Sequence, residues 1–287
     1  MERFYLIANQ TKDRDLAVTR RVAGYLEEHG KKCFFPGYAK EPGHGFHYTD
    51  PSLIPDNIDC AIVLGGDGTL LQAARDVVDR QIPLLGINLG TLGYLADIDS
   101  NRIIPALEHL LAGEYIVERR MMLSGSIYRK GRKIAEDIAL NDIVIGRESG
   151  LRVVKFRNYV NGAFLNSYSA DGIIVATPTG STGYSLSAGG PVVSPQASML
   201  LMTPLAPHTL NTRSIIFPED DVITVELGPA RDGGTERGMA FFDGDTGVPL
   251  ITGDRIEIRK SRKDTWLVKI SNISFLETLR RKMANNI

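Results

Sequence analysis

Short apolar runs alternate with segments of helical period over roughly the first 117 residues. Residues 4–8 (FYLIA), 60–64 (CAIVL) and 82–88 (IPLLGIN) are short and nearly continuous in apolar character, the pattern of strands buried on both faces. Between them, residues 13–29 carry Leu16, Val18, Val22, Tyr25 and Leu26 at roughly helical spacing before Gly30 stops the helix. Leu70, Leu71, Ala74, Val77 and Val78 fall on one helical face, and residues 100–111 read as a further helix ending at Gly113. From about Glu118 the alternation gives way to short strands with turn signals. Residues 143–145, 153–160 and 163–165 are the clearest, and Asn161-Gly162 supplies the two positive φ angles of a type I′ hairpin. Residues 222–227 and 255–259 alternate in the same way. The pattern predicts an α/β N-terminal domain with a mostly parallel sheet, residues 1–117, plus a C-terminal mostly β, sandwich-like domain, residues 118–270. A closing helix over about 271–287 is expected to pack back onto the first domain.

The second apolar run leads into Gly65, Gly66, Asp67, Gly68 and Thr69, so the chain reads strand, glycine turn, helix. Three glycines leave the turn backbone open to a ligand, and Thr69 with Gln72 predicts a capping box that starts the helix there. A helix N-terminus suits phosphate. Asp67 does not, because a bare carboxylate repels phosphate unless a Mg2+ bridges them or the carboxylate serves a hydroxyl. That combination argues for phosphoryl chemistry. Two other readings stand beside it: an ordinary turn aspartate, and a dinucleotide-binding turn, against which Leu71 occupies the place of the third glycine.

A second glycine-rich turn, residues 89–94, follows the third strand, and Tyr94 offers either a stacking face for a base or an aromatic that packs on the sheet edge. Residues 169–191 are dense in Ser, Thr and Gly between Pro178 and Pro191, which suits a polar ligand such as a ribose or an amide better than a linker. His44 and His47 lie in a Gly- and Pro-rich loop with no third metal ligand nearby. The motifs of serine hydrolases, P-loop proteins and zinc proteases are absent from the sequence.

Composition changes this picture little. With 287 residues, 43% hydrophobic and 23% charged, the chain is long enough for one large or two medium domains. A net charge of -1 gives no reason to expect nucleic acid or an anionic membrane. Cys33 and Cys60 lack any disulfide or zinc spacing, and no leader or spanning segment is evident, so a cytoplasmic protein is expected.

Taken together the motifs resemble the NAD kinase family: GGDGT at 65–69, GINLGTLGYL at 86–95, the pair Asn141 and Asp142, DGIIVATPTGSTGYSLSAGGP at 171–191, and PLAPHTL at 204–210. The resemblance covers most of the chain from Asp59 onward. It implies an α/β domain and a β domain enclosing NAD, an oligomer (dimer or tetramer) that completes the site, and Mg2+, or another divalent metal, carried mainly by the phosphates of ATP or polyphosphate. It implies that Asp67 takes the proton of the adenosine ribose 2′-hydroxyl and that Gly68 lies against the nucleotide. Asn141 and Asp142 would hold the adenosine portion. Asp171, Thr179, Thr182, Gly183, Tyr184, Ser185, Leu186 and Ser187 match residues contacting the two halves of NAD, and Arg152 and Ala206 are further placements. Gly183 stands where the family commonly has Ala, and Ser169 where it often has a basic residue, which leaves donor preference open. The alternatives are another GGDGT-type kinase acting on a lipid or sugar hydroxyl, and a sensor that binds NAD without modifying it.

Overall fold

The computed structural model describes residues 1–36, 49–90, 93–96, 98–148, 153–209, 212–245, 247–270 and 274–284, apart from the Met283 side chain. The chain divides into two compact units, Met1–Arg120 with Asp264–Ile287, and Met121–Lys263.

The first unit contains β1 (Arg3–Ala8), α1 (Ala17–Glu28), β2 (Lys32–Phe34), β3 (Cys60–Gly65), α2 (Asp67–Val77), β4 (Leu84–Asn88), β5 (Ile98–Asp99) and α3 (Ile103–Ala112). Its sheet runs β4-β3-β1-β2 with every pairing parallel, and β5 joins the outer side of β4. β3 is buried along its whole length, as a continuous apolar run between two helical layers must be. Phe4, Leu6, Ile62, Leu64, Leu85 and Ile87 share one face and pack against Val22 and Leu26 of α1 and Leu107 and Leu110 of α3. Each such burial contributes about 1.5–3 kcal/mol. The residues between them point the other way, toward α2. A side chain at Gly86 would meet Leu70 Cδ1 at 2.6 Å, so the bare glycine lets α2 lie flat on the strand.

α1 begins at Ala17, four residues later than its periodicity suggests. The reason is Asp13, whose carboxylate accepts from the backbone N–H groups of Val18 and Thr19 and so fixes the chain before the helix starts. Its end falls as predicted, with Gly30 at φ 76° and the Lys31 N–H returned to Leu26.

The second unit is antiparallel and follows β6 (Ile116–Arg129), β7 (Arg132–Ala139), β8 (Asp142–Arg147), β9 (Val154–Val160), β10 (Ala163–Ala170), β11 (Gly172–Ala176), the single turn α4 (Tyr184–Ser187), β12 (Met199–Leu205), β13 (Ile215–Pro218), β14 (Ile223–Leu227), β15 (Arg237–Phe242), β16 (Val248–Ile251) and β17 (Arg255–Lys269). The division between units falls within β6 and again within β17. One sheet is ordered β13-β12-β11-β8-β15-β16; the other carries β10-β9-β14-β17. Phe156, Val225, Ile256 and Ile258 from one and Ile143, Ile173, Val175, Met202 and Phe242 from the other share a core, the sandwich that the alternating strands imply. The Asn161-Gly162 hairpin has both φ angles positive, 50° and 80°.

α5 (Phe275–Ala284) closes the chain within the first unit. Among the described residues no helix is long and apolar enough to cross a membrane.

Candidate active site

In the first unit the helix after the glycine turn starts earlier than the sequence implies. Gly66, with extended backbone, is the N-cap and Asp67 the first helical residue, so Thr69 is not the cap but the third residue of the helix. Its Oγ1 accepts from the Gly66 N–H at 3.4 Å, half of a capping box, and Gln72 is buried within the helix instead of completing one. The extended glycine, not the threonine, breaks the helical backbone, and a carboxylate in that first turn complements the helix dipole.

The Asp67 carboxylate is held by the second glycine turn. Its Oδ2 accepts from the Tyr94 N–H at 2.7 Å, and its Oδ1 accepts from the N–H groups of Leu95 and Ala96, each at 3.2 Å. Three of about four acceptor positions are thereby used, and among the described residues nothing donates to the remaining one, on Oδ2. Nothing stands within 4 Å of the position a Gly68 side chain would take, so that flank of the turn is bare among the described residues. Tyr94 is half-buried beside this carboxylate. Burial, then the Asp67 charge, pushes its hydroxyl pKa up, and the Lys282 ammonium of α5 lies 5.0 Å from its ring centroid.

The supporting residues were not visible in the sequence pattern. Asn9, at the end of β1, donates through Nδ2 to Thr69 Oγ1 at 3.0 Å. Asn88, at the end of β4, bonds both its oxygen and its nitrogen to the backbone of Gly90. Both are buried. A polar residue closing an apolar run is the one signal in the sequence that could have found them.

In the second unit β11 delivers the Ser/Thr/Gly stretch. Thr177 is fully buried, and its hydroxyl donates to the Leu140 carbonyl at 2.6 Å and accepts from the Gly180 N–H at 3.0 Å. A side chain at Gly180 would fall 2.1 Å from the Asn141 carbonyl oxygen, so the turn rests directly on that backbone. At Gly183 the corresponding position lies 3.2 Å from Asn141 Nδ2 and 3.7 Å from Asp142 Oδ2. The Asn-Asp pair therefore faces the start of α4, where Thr182, Tyr184, Leu186 and Ser187 are at least partly exposed. Thr179 and Ser185 are buried instead. The hydroxyl of Ser185 lies 3.2 Å from that of Thr203, and Ser181 Oγ bonds Pro178 and Val193. Much of the hydroxyl density in this stretch thus builds the turn itself, because a buried loop must satisfy its own polar groups.

Asp171 and Ala206 stand apart from these residues. β11 pairs with β8 and β12 so that Ala176 is opposite Asp142 while Gly172 is opposite Leu205 and Gly146. Asp171 and Ala206 are thus at the far end of the strand, roughly 17 Å away at about 3.3 Å per residue. There Asp171 pairs with Arg147 at 3.3 Å, and exposed Ala206 takes a φ of 44°. Arg152, and the loop histidines His44 and His47, lie outside the described residues.

Asp243 is the residue of this unit that the sequence reading missed. It accepts from the backbone N–H groups of Leu140, Asn141 and Asp142 at 2.7, 2.7 and 3.1 Å, and its own N–H returns to the Asp142 carbonyl at 3.0 Å. It clamps the Asn-Asp pair. Burial, and then the charge of Asp243, pushes the Asp142 carboxyl up to about 7.

A carboxylate fixed where phosphate alone would be repelled makes chemical sense in a phosphotransferase, and that is the class to which the fold and the turn point. Comparison with known proteins gives the family: residues 4–115 match the ATP-NAD kinase N-terminal domain and residues 140–270 the ATP-NAD kinase C-terminal domain. The chain belongs to the NAD kinase family. It is 46% identical to the NAD kinase of Lachnospira eligens over 99% of this chain and 100% of that one, and 44% identical to the NAD kinase of Agathobacter rectalis over 99% of each. Its fold is shared with yeast NADH kinase complexed with NADH (TM-score 0.86, 24% identity, 100% of this chain and 88% of that one). It is shared also with an NAD kinase from Archaeoglobus fulgidus in complex with ATP (TM-score 0.77, 24% identity, 98% of each chain).

Proposed function

We propose that the protein phosphorylates the 2′-hydroxyl of the adenosine ribose of NAD to give NADP, with ATP or polyphosphate as donor and Mg2+ in attendance. The observation that carries this is the Asp67 carboxylate: it is oriented by three backbone N–H groups, stands in the first turn of a helix, and among the described residues keeps an acceptor position on Oδ2 beside a bare glycine flank. That geometry suits a base that orients a hydroxyl and takes its proton late in a loose phosphoryl transfer. The names of the relatives, and the NADH and ATP complexes of the two structural neighbours, support the choice of dinucleotide and donor.

In this reading Asn141 and Asp142 hold the adenosine portion, the exposed residues of 182–187 line the dinucleotide, and Gly68 and Tyr94 border the nucleotide at the first turn. Arg152 is assigned to the same dinucleotide contacts. The roughly 17 Å between Asp142 and Asp171 supports a site shared between copies, in which Asp171 and Ala206 serve the dinucleotide bound by a neighbouring subunit. Among the described residues no three potential ligands gather into a metal cage. Mg2+ fits without one, since it keeps several waters and needs only one or two carboxylates beside substrate phosphates. It would offset the charge of the donor.

The test is the mass of NAD after incubation with the protein, Mg2+, and either ATP or polyphosphate. The expected product gains one phosphate and is accepted by a dehydrogenase specific for NADP. NAD returned unchanged with both donors, though bound, would replace the kinase with a sensor.

A further inference from the structure

Lys12 reaches the glycine turns of the first unit from the loop on their flank. It sits in the loop after β1 between two anchored residues. Asn9 accepts from the Thr11 N–H and hydroxyl through Oδ1, and its carbonyl accepts from the N–H groups of Lys12 and Asp13. Asp13 in turn is buried and bonded to Val18 and Thr19 at the start of α1. The loop backbone is therefore fixed on both sides of the lysine.

From that base the side chain crosses both glycine turns. A Cβ at Gly66 would lie 3.1 Å from Lys12 Nζ, and one at Gly90 would lie 3.0 Å from it. Gly66 is the N-cap before Asp67, and Gly90 belongs to the turn that holds the Asp67 carboxylate, so the ammonium bridges the two segments that build the catalytic turn. Among the described residues no oxygen accepts a hydrogen bond from Nζ. Lys12 is exposed, and its ammonium stands beside the positive end of α2, so a polyanion reaching the turn would meet both.

We propose that Lys12 is a ligand of the donor's terminal phosphates, a reading that rests on the kinase function proposed above. In the transfer, the bond from the γ-phosphorus to the β,γ-bridging oxygen breaks and a bond to the ribose 2′-oxygen forms. The 2′ proton passes to Asp67, and the bridging electron pair leaves with the nucleoside diphosphate. The Lys12 ammonium neutralises charge on the phosphate oxygens, and as a flexible point charge it serves a triphosphate or a polyphosphate chain alike. The glycines at 66 and 90 keep its path clear.

The test compares wild type, Lys12→Ala, Lys12→Arg and Gly90→Ala. In steady-state assays Lys12→Ala should lower kcat/KM for ATP about 10- to 100-fold, the scale of one charge-assisted hydrogen bond, with the KM for NAD within twofold. Lys12→Arg should recover part of the loss. Gly90→Ala, which pushes the ammonium aside, should reproduce it in milder form. Calorimetric titration with inorganic tripolyphosphate reads the same contact without turnover: wild type should bind it more than tenfold tighter than Lys12→Ala. Should wild type make no NADP yet show that difference, the kinase reading falls and the phosphate ligand stands. Equal tripolyphosphate affinity in the two proteins, or a loss confined to the KM for NAD, would overturn the assignment of Lys12.

Discussion

Gly93 and Asp67 touch so closely that a methyl group on Gly93 would stand 1.8 Å from Asp67 Oδ1. The glycine is what allows the N–H groups of Tyr94, Leu95 and Ala96 to converge on one carboxylate. Gly93→Ala should therefore turn Asp67 away from its donors. A displacement near 1 Å at a reacting group costs on the order of 10²-fold, so turnover should fall by about that factor. The accompanying overpacking should destabilise the unit by about 1–3 kcal/mol. Steady-state kinetics together with thermal unfolding check this, and an alanine variant with wild-type turnover would show that the contact does not set the carboxylate.

Asp67→Asn keeps the size, removes the base, and sets an NH2 against one of the N–H groups that the carboxylate accepts. Turnover should drop about 10²- to 10⁴-fold while the affinity for NAD changes little. Single-turnover NADP formation and equilibrium NAD binding separate the two quantities. Near wild-type turnover would take the base role from Asp67.

Asp243 acts through the pair it clamps. Asp243→Ala leaves three backbone N–H groups without their acceptor, which should cost about 3 kcal/mol of stability and raise the KM for NAD more than it lowers kcat. It also removes a charge that raises the Asp142 pKa, so the Asp142 titration should move to lower pH. Urea unfolding and carboxyl-resolved NMR titration read these effects, and an unmoved Asp142 midpoint would contradict the coupling.

Asp142 should make stability depend on pH with a definite sign. Its carboxyl titrates at about 7 in the fold, against roughly 4 in an unfolded chain. Between those values the folded state holds the extra proton, so stability is fully present below about pH 4 and is lost as pH rises through 7. Asp142→Asn lacks this term. Measured by urea unfolding, the variant should gain on wild type between pH 5 and pH 8, by on the order of a few kcal/mol. A difference that stays constant across that range would mean Asp142 is already ionised in the fold.

The residues that were legible in advance are those whose chemistry is local. The apolar run at 60–64 and the 84–88 part of the run at 82–88 became fully buried parallel strands, and Asn161-Gly162 became a hairpin, because period and turn propensity act over a few neighbours. β6 and β17 were harder: β17 extends to 15 residues, where alternation was evident only over the first few. Its charged residues Arg259, Lys260, Arg262 and Lys263 mask the pattern, and neighbouring strands, not local propensity, hold it extended.

The glycine turn shows the same boundary at the scale of single atoms. From the sequence came the strand, the helix, the turn between them and an aspartate whose charge demanded a reason. Only the tertiary structure decided that the helix starts at Asp67, that Gly93 and its neighbours orient the carboxylate, that Lys12 crosses both turns, and that Asp243 holds Asn141 and Asp142. Those contacts join residues from about 25 to more than 100 positions apart. Their partners are chosen by the packing of strands, and a periodicity that spans one element carries no record of which element will lie beside it.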